Sequence, residues 1–457
     1  MPAVLAGLEP IGRPAATTRL NLAIGLPLRN QQVLAQLVQQ LSDPAHPDYR
    51  HYLTPEEFAA RFGPTEQDYQ AVIAFAQANG LAVSSTHPNR ALLDVGGSVA
   101  DIEKALHLTM RTYRHPAEAR TFYAPEAEPS LDLAVPVLRI SGLDNYSLPR
   151  PRLQATPLDQ LPDATPNSGS GPSGTYMGND FRAAYLPGVA LTGSGQTVGL
   201  LQFDGYNASD IASYESRAGL PNVPLSNVLV DGATGHPSGG GGEVEVSLDI
   251  EMAISMAPGL SGIIVYMAPN PSPFVDLLNR MATDNLAKQL SCSWYIPGGG
   301  PDPVADQIFQ QMAAQGQSFF NASGDYDAFT GPVDFPGETP YIVQVGGDAA
   351  DDERCWGPLA IGDGLEPEQR HRHRRWDQHP LCDSELPGRY QHDPQSGLDH
   401  EAQYPGCGAD GGQCVCAGQR TGLQCGRDQL RRAVVGRVRR AGQSASRGRR
   451  QAGGGIY

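Results

Sequence analysis

Apolar and polar positions in the first 148 residues fall into short runs of changing period. Leu20 to Leu28 (LNLAIGLPL) reads as a strand, and Gln31 to Leu41 carries the apolar spacing of a helix. A turn-rich link, Pro44 to Tyr52, leads to a short helix at Pro55 to Phe62. Thr65 opens another helix through Ala78, with Glu66 and Asp68 in its first turn and Asn79-Gly80 as its stop. Leu81 to His87 and Ala91 to Val95 pair across a Pro-Asn turn, Val99 to Leu106 is helical, and Leu108 to Tyr113 and Phe122-Tyr123 are strand-like. Strands and helices alternating at this size predict a small α+β unit.

Pro149 to Gly174 is rich in Pro, Ser and Gly with few apolar anchors, which predicts an exposed linker open to proteolysis. From Thr175 the pattern changes. Gln196 to Phe203 (QTVGLLQF) is nearly continuous apolar sequence, as in a buried parallel strand. Further strands are expected at Gly262 to Met267, Leu290 to Trp294, Ser318 to Asn321 and Tyr341 to Val345. Helices are expected at Ala208 to Gly219, Pro273 to Ala287 and Ala305 to Gly316. This alternation predicts a doubly wound parallel α/β fold, in which ligands sit beyond the carboxyl ends of the strands.

One stretch of that second unit concentrates acids. Glu243, Glu245, Asp249 and Glu251 fall within nine residues, after the glycine run 239–242 and before an apolar run that stops at Pro258. On a helix, Glu245 and Asp249 share a face, whereas Glu243 and Ser247 occupy another. Two carboxyls held that close cannot both ionise cheaply, which suits acid-base chemistry. Taken alone, the stretch fits a solvated acidic helix start better, since acids suit the N-terminal end of the helix dipole. Ala322-Ser323-Gly324-Asp325 follows another strand end.

Composition narrows the function classes. Up to Ala350 the acids outnumber Lys plus Arg by 35 to 17, and the whole chain has only two lysines, Lys104 and Lys288. Nucleic-acid binding is not expected from such a surface, and a protein working at acid pH is. No apolar run reaches the length of a membrane span, so no membrane partner is expected. The first ten residues lack a basic start and a long apolar core, so no secretory signal is legible. Cys292 is the sole cysteine before residue 350, which leaves that part without disulfides of its own.

Residues 19 to about 145 resemble the activation propeptide of the sedolisins, the serine-carboxyl peptidases. The matching pieces are AIGLPLRNQ, DPAHPDYRHYLTPEEF, FGPTEQD, NRALLDVGGSVADIEKAL and ISGLDNY. Residues 175 to 347 resemble the start of the catalytic domain through AAYLPG, LTGSGQTVGLLQFDGY, EVSLDIEMAISMAPG, SCSWY, SGDYD and VDFPGETPYIVQVGG. The resemblance implies a ferredoxin-like α+β propeptide (1–148), a cleavable linker (149–174) and the first part of a subtilisin-like parallel α/β domain (175–347). It implies a secreted, acid-active endopeptidase acting on peptides or proteins, held by its own propeptide and carrying a calcium site near its C-terminus. By the same resemblance Glu245 is the base for a serine nucleophile, Asp249 orients that base, and Asp325 is the oxyanion acid. Asp327 reads as a structural loop acid. Trp294 lines the substrate cleft by resemblance, with a core position as the competing reading. The family usually has Gly where this chain has Tyr295. A Ser-His-Asp peptidase finds no histidine motif in the second unit before Gly347, where His236 sits alone in a glycine loop.

The Gly-Thr-Ser motif expected to carry the nucleophile is absent, and the chain changes character after Gly347. Residues 351 to 457 hold 16 arginines, six of the seven cysteines and five of the eleven histidines. A metal module of His371, His373, Cys407, Cys414, Cys416 and Cys425 lacks paired Cys-x-x-Cys spacing. A basic tail of Arg431, Arg432, Arg437, Arg439 and Arg440 leaves the mid-domain change unexplained. A third reading is an out-of-frame tail from Asp348 onward. Permitted codons for residues 348–367, read one nucleotide later, can give TLLTMSGAGAPWRSETVWN, and AQYPGCGADGGQCVCA can give RSIPDVALTADNVYV. CGRDQLRRAVVGRVRRAGQS can give AGGTSCAAPLWAGFAALVN, whose serine codon straddles Gln429 and Leu430. One offset restores the family's remaining motifs in order. A chain that truly ends this way has an incomplete sheet with uncovered apolar edges, is expected to aggregate, and lacks the calcium loop. Its alternative role is that of a catalytically dead binding protein.

Overall fold

The computed structural model describes residues 3–153, 169–171, 176–325 and 331–346. Asp327, most of the 154–174 stretch and the whole tail from Gly347 therefore lie outside the described residues.

The N-terminal unit runs β1 (Arg19–Gly25), α1 (Gln31–Ser42), α2 (Pro55–Arg61), α3 (Glu66–Ala78), β2 (Ala82–Thr86), β3 (Leu92–Ser98), α4 (Val99–Ala105), β4 (Met110–Arg114), β5 (Thr121–Pro125) and β6 (Arg139–Ser141). Helix α2 starts where the sequence dictates. Thr54 Oγ1 accepts from Glu57 N and Glu57 Oε2 accepts from Thr54 N, with Pro55 at the first helical position. Strands order as β2-β3-β1-β6, every neighbouring pair antiparallel. Leu22, Ile24, Val95, Val72 and Ile102 fill the core between this sheet and its helices. Strand β6 was not legible beforehand: three residues with half-exposed side chains carry no periodicity, and only pairing with Ala23–Gly25 makes them a strand.

The second unit contains α5 (Asn179–Tyr185), β8 (Thr197–Gln202), α6 (Ala208–Ala218), β9 (Leu225–Leu229), α7 (Glu243–Met256), β10 (Gly262–Met267), α8 (Phe274–Asp284), β11 (Gln289–Cys292), β12 (Trp294–Tyr295), α9 (Pro303–Ala314), β13 (Ser318–Ala322) and β14 (Val343–Val345). Six of the strands form one parallel sheet in the order β14-β13-β11-β8-β10-β9. The connection after β8 runs to one side of the sheet and that after β11 to the other. The adjacent ends of β8 and β11 therefore flank a topological switch point, where open α/β sheets place their sites. Helix α7 is buried from Glu245 to Met256, so it is a core helix despite its acids. Among the described residues β14 is paired on one side only.

The linker expectation needs correction at its start. Arg150–Pro151 form β7, paired antiparallel with β12, and Pro149 and Arg152 are buried. Backbone pairing with a strand far along the chain overrides a composition that reads as exposed coil.

The N-terminal sheet lies against α8 and α9. A Cβ at Gly25 would come 2.3 Å from Val304 Cγ2, so the β1 backbone meets the start of α9 directly. Asn89 Nδ2 donates to Asn279 Oδ1 (2.6 Å) and Gln311 Oε1 (2.8 Å), and Leu53 N donates to Ala314 O (3.0 Å). Asp94 pairs with His87 at 2.8 Å and faces Asp231 and Asp276 from the second unit. Burial, then the charges of Asp94 and Asp231, push the Asp276 carboxyl well above its ordinary 3.8, so the docked state holds an extra proton. The sign follows from linkage: stability falls as pH rises from near 3.8 through the raised value, because the unfolded state gives that proton up first. Asp276→Asn should therefore flatten the loss of thermal stability as pH rises from near 3.8 in a frame-corrected chain. Parallel melting curves for the two proteins across that range would contradict this.

Candidate active site

The acidic helix is positioned by a glycine that has no room for a side chain. A Cβ at Gly242, the residue preceding α7, would lie 2.7 Å from Asp204 Oδ2 and 3.0 Å from Trp294 Cη2. Asp204, just past β8, accepts from Gly205 N (2.8 Å), Ser238 N (2.7 Å) and Ser238 Oγ (2.8 Å), and so pins the glycine loop that leads into the helix.

Glu245 is fully buried and Asp249 is 4 % exposed, one helical turn apart on one face. The solvated reading of this stretch does not hold. Glu251 is buried as well, at 2 % exposure, on another face of the helix. Two donors from neighbouring strand ends fix Asp249: Gln202 Nε2 donates to Oδ2 (2.9 Å) and Ser293 Oγ to Oδ1 (2.8 Å). Gln202 is itself oriented by Trp294 Nε1, which donates to its Oε1 at 2.7 Å. A carboxylate that accepts two such bonds keeps part of what water would have supplied.

Trp294 has its indole in the apolar core, 5.6 Å edge-to-face from Phe203, while its backbone pairs with β7. Asp325 is buried at 4 % exposure beyond the end of β13, after Gly324 at φ 113°. Asn321 Nδ2 donates to the carbonyls of Cys292 and Trp294, both at 3.2 Å, tying the β13 and β11 ends together. Burial pushes the Cys292 thiol up to about 12, which makes it an inert core group. Asp249, Arg152 and Glu245 all act on that thiol electrostatically, so a cation from the N-terminal segment reaches the acids' neighbourhood. Among the described residues no three His, Cys, Asp or Glu side chains are grouped to hold a metal, and no helix is long and apolar enough to cross a membrane.

Gln202, Ser293, Asp204 and Asn321 were not singled out from the sequence. A glutamine closing an otherwise apolar strand was the available signal, since a buried amide needs partners; its partners lie 47 and 92 residues away.

Residues 6–146 match the pro-kumamolisin activation domain. Beyond that domain the similarity is to peptidases of the sedolisin family. It is 29 % identical to kumamolisin of Bacillus sp. (strain MN-32) over 317 residues, covering 66 % of this chain and 57 % of that protein. It is 26 % identical to sedolisin of Pseudomonas sp. (strain 101) over 362 residues, covering 74 % and 61 %. The chain thus spans about three fifths of the length of these relatives. A solved structure of Pseudomonas sedolisin, a serine-carboxyl proteinase complexed with pseudo-iodotyrostatin, aligns with a TM-score of 0.33 at 24 % identity, over 38 % of this chain and 54 % of the other.

Gln202→Leu in a frame-corrected chain should cost about 1–3 kcal/mol in urea unfolding, because it strands Asp249 Oδ2 and Trp294 Nε1. Gly242→Ala should cost a similar 1–3 kcal/mol, roughly the overpacking range, through its clash with Asp204 and Trp294. Wild-type unfolding midpoints for both variants would contradict the packing described.

Proposed function

We propose that the chain is the zymogen of an acid-active serine-carboxyl endopeptidase with a subtilisin-like catalytic fold, written here with an out-of-frame end. The observation that carries this reading is Glu245 and Asp249 buried together on α7, with Asp249 held by Gln202 and Ser293. The sheet order β14-β13-β11-β8-β10-β9, all parallel, supports the fold assignment. The β2-β3-β1-β6 order, with helices between β1 and β2 and between β3 and β6, supports a ferredoxin-like activation domain over residues 1–148. Residues 149–174 are the cleavable linker, 175–347 the first part of the peptidase domain and 348–457 the out-of-frame segment.

In the mechanism, Glu245 accepts the proton of the serine hydroxyl as its oxygen attacks the peptide carbonyl. Asp249 orients Glu245. Asp325 keeps its proton and donates a hydrogen bond to the developing oxyanion. The proton on Glu245 passes to the leaving amine as the C–N bond breaks, and water then hydrolyses the acyl-enzyme. The serine comes from the codons overlapping Gln429 and Leu430. The calcium site that the family implies finds no fitting set among the described residues, and no step depends on it. The protein works outside the cell on peptide or protein substrates, with its own propeptide as partner. The chain as written, lacking the Gly-Thr-Ser motif, is at most a binding protein; among the described residues β14 is paired on one side only, which supports its aggregation.

The frame-corrected protein should hydrolyse an unfolded protein at about pH 4, fade toward neutrality, and lose about 10²- to 10⁴-fold in kcat on Glu245→Gln. Full activity in that variant, or a maximum near neutral pH, would remove the carboxylate mechanism.

A further inference from the structure

The first turn of α7, which holds Glu245, has little in its own sequence to fix it. Gly242 gives it no side-chain cap, and the run 239–242 that leads in has φ of 79° at Gly239 and 95° at Gly241. Glycine visits that region freely, so such a run has no preferred path of its own. Glu245 is nevertheless fully buried, which demands one placement of the turn. Sliding the helix by a single residue moves a side chain about 1.5 Å along the axis and swings it about 100° to another face.

The restraint comes from the two residues after β8. Asp204 Oδ1 accepts from Ser238 N at 2.7 Å and its Oδ2 from Ser238 Oγ at 2.8 Å, just before the run begins. At the other end the same Oδ2 would stand 2.7 Å from a Cβ on Gly242. Gly205 lies against the approach: a Cβ there would come 2.4 Å from the His236 carbonyl carbon and 2.5 Å from Gly235 O. Among the described residues, the hydrogen bonds that tie 238–242 to an element other than α7 both end on Asp204. Gly240 N and Gly241 N donate locally, to Ser238 Oγ (3.2 Å) and Glu243 Oε2 (2.9 Å).

A third bond, from Gly205 N at 2.8 Å, fixes the Asp204 carboxyl itself, which is 8 % exposed. Two positions earlier, Gln202 donates to Asp249. One strand end therefore serves both acids of α7: Gln202 holds Asp249 directly, and Asp204 holds the chain that delivers Glu245.

We infer that Asp204 is a positioning residue for Glu245: it clamps both ends of the 239–242 run and so sets where the first turn of α7 places that side chain. The inference rests on the peptidase reading for what Glu245 does, and on the Asp204 contacts for how it is held.

The test uses the frame-corrected full chain, processed at about pH 4 and assayed on a peptide substrate. Asp204→Ala should lower kcat about 10- to 100-fold with KM within about threefold, the split expected when a base is misplaced and binding is intact. Asp204→Asn keeps an oxygen for Ser238 N and Gly205 N and can donate to Ser238 Oγ, so it should stay within about threefold of wild-type kcat. Near neutral pH, hydrogen exchange of the unprocessed chain should show amides 238–246 about tenfold faster in Asp204→Ala, with the second half of α7 unchanged. Wild-type kcat in Asp204→Ala, equal losses in the Ala and Asn variants, or a change confined to KM overturns the proposal. If Asp204→Ala does not fold, Ser238→Ala decides: it should lower kcat about threefold and speed the same amides, while Ser238→Thr, which keeps the hydroxyl, should not. Unchanged kcat and exchange in Ser238→Ala would then overturn it. Absence of hydrolysis by the frame-corrected wild type defeats the peptidase reading, and the clamp stands or falls on exchange across 238–246.

Discussion

The structure depends on keeping two carboxylates out of water on one helix face. An ionised acid in a dry interior is costly unless hydrogen bonds replace its hydration. Helix α7 meets that requirement because the ends of β8 and β11 stand side by side at the switch point and each sends a donor to Asp249: Gln202 from one, Ser293 from the other. Everything around the site serves this arrangement. The Trp294 indole fixes the amide of Gln202, Asn321 ties the strand ends, and Gly242 lets the helix start against Asp204 and Trp294.

The same geometry explains why the N-terminal unit and the peptidase-like unit meet as they do. The activation-domain sheet covers α8 and α9, and its continuing chain enters the groove beside Trp294 and Tyr295 as an added strand. Acidic side chains meet in the buried interface at Asp94, Asp231 and Asp276, where burial raises the carboxyls of Asp276 and Asp231 above their ordinary value.

Much of the fold was legible because it rests on local signals. The Thr54–Glu57 capping box, the Asn79-Gly80 stop and the apolar run of β8 all follow from near neighbours in sequence. What was not legible depends on distant partners. Strands β6, β7 and β9 are short and without clear periodicity, and they exist because a long strand or the groove wall offers them hydrogen bonds. The site divides the same way. The spacing of Glu245 and Asp249 announced a shared face, but the acids' burial could not be read from an acid-rich stretch that equally suits a solvated helix start. Gln202 and Ser293 showed nothing special in sequence, because their role is defined by Asp249 across the fold.

The proposed role of Glu245 as a base calls for a nucleophile, and this is the strongest reason for the proposal that the chain continues in another frame after Gly347. The direct measurement is to sequence the coding DNA from its source across the codons for Gly347 and Asp348. The account predicts one surplus base at that junction, whose removal restores the Gly-Thr-Ser motif from the codons around Gln429 and Leu430. A sequence that reproduces the written frame without error would contradict it, and Glu245, Asp249 and Asp325 would then stand in a chain with no serine for them to activate.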